Sequence, residues 1–188
     1  MAIGEIQSYC KLNDHRLAYF YCDFKDSKFQ DPINVLGSVI GQLIVQETEL
    51  PDGLESLFQN CSKARMRPGL ESLLDVLKNE TSSGARRTHI VIDALDECTN
   101  REGLLDGLAK LYSLSDLRLN ILVTSRKEND IKDAFKSLPS LCIKDSDIAK
   151  DVELYVKSEI EKRKKLKEKT DAVKARISST LVEGAKGM

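Results

Sequence analysis

Three carboxylates lie close together in the segment HIVIDALDEC, residues 89–98. The apolar run 90–92 ends in Asp93, and Asp96 and Glu97 follow after two intervening residues. An apolar run that closes on turn-forming polar residues predicts a strand buried on both faces. Carboxylates at the C-terminal end of such a strand lie where open α/β sheets bind ligands. A hydrated Mg²⁺ ion held with a substrate phosphate would relieve the repulsion among the three acids.

A cation that suits such a site follows the next predicted strand. Arg126 comes directly after Thr124 and Ser125, at the end of the apolar segment 119–125. A guanidinium group at this edge of a sheet would face the negative charge of a phosphate. The alternative is that Arg126 forms only a surface salt bridge.

The acidic residues also have structural interpretations. Asp93 would cap the helix that follows its strand. Asp96 or Glu97 would instead cap the helix predicted to begin near residue 101. Asp23, at the end of an earlier predicted strand, would stabilise a turn. The sequence leaves these alternatives open.

Strands and helices alternate along the part of the chain that must position these residues. Strands are predicted over residues 17–23 and 119–125, at the start of 89–98, and more weakly over 141–144. Helices are predicted over residues 1–13, 31–46, 54–62, 68–80, 101–114 and 128–136, and from 147 onward. This alternation predicts an α/β fold, a parallel sheet with helices on both faces.

The composition excludes several classes of protein. The chain has 188 residues, of which 41% are hydrophobic and 31% charged, as expected for a soluble globular protein. Its net charge of −1 gives no basic field for nucleic acid or anionic membrane. The five cysteines and two histidines lack the spacing of a zinc site. No apolar run is long enough for a transmembrane helix, so we expect a cytoplasmic protein.

Three segments together resemble a known family. They are LAYFYCDFKD (17–26), VIDALDEC (91–98) and LNILVTSRKE (119–128). In these segments the chain resembles the NACHT domains of STAND-type P-loop NTPases, in particular fungal NLR-like proteins with a nephrocystin-like N-terminal domain. The resemblance covers nearly the whole chain.

The resemblance implies a role for each candidate residue. Asp93 matches the Walker B aspartate that holds Mg²⁺ through water, and Asp96 and Glu97 match the catalytic acids that polarise the attacking water. Arg126 matches the sensor that reads the γ-phosphate of ATP, and Ser125 lies beside it as a second nucleotide-binding residue. Such proteins are ATP-operated switches that oligomerise, so other NACHT-containing chains are the implied partners. They carry an effector upstream and ankyrin, WD or tetratricopeptide repeats downstream.

The chain departs from this family in one motif. No segment fits G-x-x-x-x-G-K-[ST], the loop that supplies backbone N–H groups, a lysine and a hydroxyl to phosphates and Mg²⁺. Residues 3–13 resemble the rest of the helix that follows that loop, so we expect the chain to begin just past strand one. The expected fold is a three-layer P-loop NTPase-like sheet of strands 2-3-4 and a weaker strand 5, lacking strand one.

The predicted organisation is a partial NACHT nucleotide-binding domain over 1–146 and a helical segment over 147–188. The predicted function is a fragment of an NLR-like signal-transducing ATPase switch with weak or no autonomous ATP hydrolysis, because the phosphate loop supplies most of the positioning. The alternative is a non-catalytic regulatory module that docks on full-length NACHT proteins. A receiver domain with Asp93 as phosphoacceptor fits poorly, because Asp145 rather than proline follows Lys144.

Overall fold

Three parallel strands form the centre of the fold in the computed structural model, which describes residues 2–26, 30–47, 52–83, 86–114, 118–143 and 145–184. The strands are β1 (Arg16–Tyr21), β2 (Thr88–Asp93) and β3 (Leu119–Val123). They are hydrogen-bonded in the order β1-β2-β3, with β2 in the middle. The predicted α/β class is confirmed. The assignment of these strands to positions 2, 3 and 4 of a P-loop sheet stays a prediction.

Helices connect and follow the strands. In the described residues they are α1 (Ala2–Asn13), α2 (Pro32–Ile44), α3 (Asp52–Ala64), α4 (Leu70–Ser83), α5 (Glu102–Ser113), α6 (Asn129–Ala134), α7 (Asp145–Lys162), α8 (Lys164–Lys167) and α9 (Asp171–Gly184). The predicted start of α2 is confirmed, because the Asp31 side chain accepts a hydrogen bond from the Ile33 N–H at 2.9 Å and Pro32 lies in the first turn.

One predicted element is wrong. Residues 141–143 of the expected weak strand 141–144 form no strand, and Lys144 lies outside the described residues. Leu141 is 92% exposed and Ile143 67% exposed. A short apolar run becomes a strand only where a neighbouring strand supplies hydrogen-bond partners. In the described part of the chain the sheet has only β1, β2 and β3.

The core of the fold lies on one face of the sheet. Helices α2, α4 and α5 cover this face and bury their apolar stripes against it. The sheet contributes the alternate residues Ala18, Phe20, Ile90 and Ile92, as the two-residue period of a strand requires. Helix α5 approaches α4 so closely that a Cβ on Gly107 would lie 2.3 Å from Leu74 Cδ1. Close packing on this face fixes the position of β2 and of its C-terminal end.

The opposite face of the sheet is only partly covered. Tyr9 of α1 makes edge-on contacts with the rings of His15 and His89. His15 Nδ1 lies 3.0 Å from His89 Nε2, a hydrogen bond between two imidazoles. Tyr19 and Tyr21 of β1 remain exposed on this face. Within the first part of the chain, helix α1 lies on this face of the sheet.

The chain divides into two compact units, Met1–Ser137 and Leu138–Met188. The second unit is helical: α7 packs against α8 and α9, and Val156 and Ile160 of α7 are buried. The predicted domain boundary after residue 146 stays a prediction. No helix among the described residues is long and apolar enough to cross a membrane.

The start of the sheet is held by a buried arginine. Arg16 is 1% exposed and donates to Thr88 Oγ1 at 3.0 Å, to Glu47 Oε1 at 2.7 Å and to the Glu80 carbonyl at 2.9 Å. Burial raises the pKa of Glu80, and the positive charge of Arg16 opposes that rise. Arg86 also pairs with Glu47, at 2.8 Å. One guanidinium thus joins β1, β2, the end of α4 and the residues after α2.

Removing this arginine is expected to destabilise the fold strongly. In Arg16→Met the buried Thr88 and the half-buried Glu47 and Glu80 lose a partner, and because these carboxylates reach solvent we expect less than the about 3–5 kcal/mol of a fully buried pair. Urea denaturation measures the loss. The exposed neighbour Arg87→Ala serves as the control, with an expected change within about 0.5 kcal/mol. Equal effects of the two substitutions would show that the buried network does not stabilise the fold.

The histidine pair is expected to make stability depend on pH. Burial, His15 and the charge of Arg87 lower the pKa of His89. His89 therefore binds a proton more readily in the unfolded chain than in the folded one. As a result, the free energy of unfolding decreases as the pH falls through about 6.5. Thermal denaturation at about pH 7.5 and about pH 5.5 should show a smaller drop in Tm for His89→Asn than for the wild type. The same drop in both proteins would contradict this expectation.

Candidate functional site

The three loops that follow the strands meet at one edge of the sheet. Because the strands are parallel, their carboxyl ends lie side by side, and the register pairs Tyr21 with Asp93 and Ile92 with Val123. The predicted site residues lie in the loops after β2 and β3. The parallel register therefore brings them to one place.

Asp93 and Thr124 form the centre of the site. The Thr124 hydroxyl donates a short hydrogen bond to Asp93 Oδ1 and accepts one from the Ala94 N–H at 3.0 Å. The Thr124 carbonyl accepts a hydrogen bond from the Leu95 N–H at 2.9 Å. Asp93 caps no helix, so that interpretation is wrong. Its carboxylate is instead positioned by the neighbouring strand's threonine.

The chain reverses sharply after Asp93. Ala94 adopts the left-handed conformation, with φ 54° and ψ 46°, which is costly for a residue with a Cβ. Leu95, which follows, is fully buried and opens a single 3₁₀ turn, Leu95–Glu97. Burial of Leu95 and the bonds to Thr124 hold the strained residue in place. The turn places Asp96 and Glu97 at the carboxyl edge of the sheet, where β2 ends in Asp93.

Asp96 fastens the turn to the loop after β3. Its Oδ1 accepts a hydrogen bond from the Arg126 N–H at 3.0 Å, and its Oδ2 lies 3.7 Å from Arg126 Nε. The Asp96 side chain is 8% exposed, whereas that of Arg126 is 79% exposed. The salt bridge predicted as the alternative role of Arg126 is therefore present. The guanidinium nevertheless remains open to solvent, and the adjacent Ser125 is exposed.

Glu97 fastens the turn to the loop after β1. Its Oε2 accepts a hydrogen bond from the Phe24 N–H at 2.9 Å. Asp23 accepts one from the Lys25 N–H at 2.9 Å, which confirms the predicted turn. Helix α5 has no side-chain cap, so the prediction that Asp96 or Glu97 caps it is wrong. The two acids join the loops on either side of β2.

Two sets of contacts at the site were not predicted from the sequence. Arg101 donates to the carbonyls of Asp96 and Cys98, at 2.7 and 3.2 Å, and pairs with both oxygens of Asp130. The pKa of the Cys22 thiol is raised, first by its hydrogen bond with Cys98 and then by burial. No sequence motif marks the pairs Arg101–Asp130 and Cys22–Cys98, because their members are distant along the chain.

The geometry fits part of a magnesium and phosphate site. Asp93 provides a carboxylate beside a hydroxyl at the exposed edge, and Mg²⁺ often binds one carboxylate and keeps several waters. No cluster of three metal-ligating side chains exists among the described residues. Gly37 and Gly41 lie within α2, so they provide no loop of free N–H groups for phosphates. The residues fit a water-held ion, and the phosphate-binding half has no counterpart in the sequence.

Comparison with known proteins shows the family. The model of the family described as nephrocystin 3, N-terminal, matches residues 1–126, and the chain belongs to this family. It is also similar to the vegetative incompatibility protein HET-E-1 of Podospora anserina, with 27% identity over 125 residues. That match covers 64% of this chain and 9% of the relative. No solved structure shows a significant match to the chain.

Replacing Thr124 tests whether its hydroxyl positions Asp93. Thr124→Val removes the bonds to Asp93 and Ala94, and we expect a loss of about 1–2 kcal/mol in urea denaturation. Thr124→Ser keeps the hydroxyl and should lose less than half as much. If the two variants are equally destabilised, retaining the hydroxyl has no benefit, and the hydroxyl does not account for the effect.

Proposed function

We propose that this chain is a fragment of an NLR-like, NACHT-type signal-transducing switch. In this proposal Asp93 holds Mg²⁺ through water, and Arg126 with Ser125 faces the γ-phosphate of ATP. Asp96 and Glu97 lie beside the attacking water. Membership in the nephrocystin 3, N-terminal, family supports the proposal, as does the meeting of these five residues at the carboxyl edge of the sheet.

One observation carries the proposal furthest. The central strand β2 ends in Asp93, whose carboxylate is held by Thr124 from the next strand. An acid at the end of the middle strand lies at the position where open α/β sheets bind ligands. The exposed Arg126 guanidinium pairs with Asp96, three residues after Asp93. In this proposal a phosphate arriving at this edge would meet a magnesium ligand and an exposed guanidinium group.

The same geometry argues for weak catalysis. Asp96 and Glu97 accept hydrogen bonds from backbone N–H groups of the flanking loops. A carboxylate that polarises water must turn at least one oxygen toward it, so these acids serve first to position the loops. Phosphoryl transfer depends on positioning by a phosphate loop, which the sequence lacks. We therefore propose weak or no autonomous ATP hydrolysis.

The second candidate is a non-catalytic regulatory module that docks on full-length NACHT proteins. It is favoured by the well-satisfied interior of a sequence without the phosphate loop, since no buried polar side-chain atom among the described residues lacks a hydrogen-bond partner. Relatives with ankyrin, WD or tetratricopeptide repeats are the proposed partners, in the cytoplasm. If the DNA upstream of the first codon encodes a phosphate loop, the ATP-operated switch is favoured over the regulatory module.

Calorimetry with Mg-ATP tests the proposal directly. We expect the chain of 188 residues to show no binding below millimolar concentration, because the phosphate-binding half of the site is missing. A micromolar Kd that Asp93→Ala abolishes would contradict weak binding and establish the complete site. The exposed Asp106→Ala on α5 is the matched control, since it removes a carboxylate outside the site.

A further inference from the structure

Two cysteines that are far apart in the sequence meet at the carboxyl edge of the sheet. Cys22 directly follows β1, and Cys98 directly follows the 3₁₀ turn Leu95–Glu97. The Cys22 N–H donates to the Asp93 carbonyl at 3.0 Å, which continues the pairing of β1 with β2. The two side chains belong to the same buried core, and their thiols are hydrogen-bonded to each other.

The hydrogen bonds of this thiol pair have a direction. The Cys98 thiol donates to the Gln30 carbonyl at 2.9 Å, so its sulfur is the acceptor in the bond with Cys22. That bond lowers the pKa of Cys98; burial opposes the shift, and the charge of Arg101 adds to it. The same bond raises the pKa of Cys22. Cys98 therefore loses its proton more readily than Cys22, and a thiolate is the nucleophilic form of cysteine.

Both thiols are buried, but each lies only one residue from the surface. Cys22 is 6% exposed and Cys98 1% exposed. Their neighbours Tyr21, Asp23 and Thr99 are exposed. A large reagent is excluded from such a position, whereas a small oxidant needs only a local opening of the loops. Because the sulfurs are already in contact, a small movement brings them to the bond length of a disulfide, about 2.05 Å.

We propose that Cys22 and Cys98 are a site of reversible oxidation, at which hydrogen peroxide joins them in a disulfide. The Cys98 sulfur attacks one peroxide oxygen and the O–O bond breaks, which leaves a sulfenic acid on Cys98 and a hydroxide that takes up the thiol proton. The Cys22 sulfur then attacks the Cys98 sulfur. The S–S bond forms, the S–O bond breaks, and the hydroxide leaves as water with the Cys22 proton. Two thiols thus lose two electrons, and one peroxide becomes two waters.

The disulfide would reinforce a connection that the structure already contains. Glu97, next to Cys98, joins the turn after β2 to the loop after β1 through the Phe24 N–H. A bond between Cys22 and Cys98 would make that connection covalent, and reduction by a dithiol would release it. All cysteines are unpaired in the structure, which therefore corresponds to the reduced form. The inference uses no nucleotide contact and is independent of the proposed function.

Peroxide treatment of the full chain, followed by mass spectrometry, tests the proposal. We expect the chain to lose the mass of two hydrogen atoms, peptide mapping to show a link between Cys22 and Cys98, and dithiothreitol to reverse both changes. The closed loop restricts the unfolded chain, so Tm of the oxidised chain should rise by at least about 5 °C. Cys10→Ala removes another buried thiol and should leave these results unchanged.

Single substitutions test the role of each thiol. In Cys22→Ala the sulfenic acid on Cys98 has no second thiol to attack it, so dimedone added together with urea should label Cys98. In Cys98→Ala the attacking thiol is missing, and we expect at least tenfold less label on Cys22. Circular dichroism checks the fold of both variants. If either variant fails to fold, peptide mapping of the wild-type chain still decides whether the disulfide forms.

Three outcomes would overturn the proposal. The first is a wild-type chain in which Cys22 and Cys98 stay reduced while peroxide oxidises the exposed Cys142. The second is a disulfide that forms between other cysteines or between two chains. The third is equal dimedone labelling of Cys22 and Cys98 in the two variants, which would show that Cys98 is not the attacking thiol.

Discussion

The buried Arg16 guanidinium is the interaction on which the rest of the structure depends. It is the one charged group that the described residues bury almost completely, and it joins the starts of β1 and β2 to Glu47 and to the end of α4. A buried charge must keep every partner, because an unpaired one is far more costly than an apolar residue. This requirement fixes where the strands begin relative to one another. The carboxyl ends of the strands, where the candidate site lies, are aligned as a consequence.

At the carboxyl edge of the sheet, the hydrogen bonds of the acidic residues stabilise the loops. Asp96 and Glu97 tie the turn after β2 to the loops on either side, and Thr124 ties Asp93 to the neighbouring strand. Such bonds preorganise a site, since the carboxylates are already held when a ligand arrives. They also reduce the number of carboxylate oxygens that are available to a ligand or a water molecule. The contacts of Asp96 and Glu97 therefore account for how the loops at this edge are held together.

Much of the fold was predictable from local patterns. The apolar run before Asp93, the cap at Asp31 and the alternation of strands and helices were each confirmed, because period and capping are properties of neighbouring residues. The strand expected over 141–144 was wrong, because a strand needs a partner strand and residues 141–143 have none in the part of the chain that the structure describes. The roles of Asp96 and Glu97 as helix caps were also wrong. Their partners, Arg126 and Phe24, come from other loops and cannot be found by spacing along the chain.

The sequence by itself determined the α/β class, the family, and the presence of Asp93, Asp96, Glu97, Ser125 and Arg126 without a phosphate loop. These depend on residue types and on distances of a few positions. Only the tertiary structure decided that Arg16 is buried, that Gln42 and Gln46 bond the backbone of β1, and that Thr124 holds Asp93. The physical reason is that a hydrogen bond or an ion pair forms between groups that packing brings together. Sequence patterns record which face of an element is apolar, but not which polar group will lie opposite it.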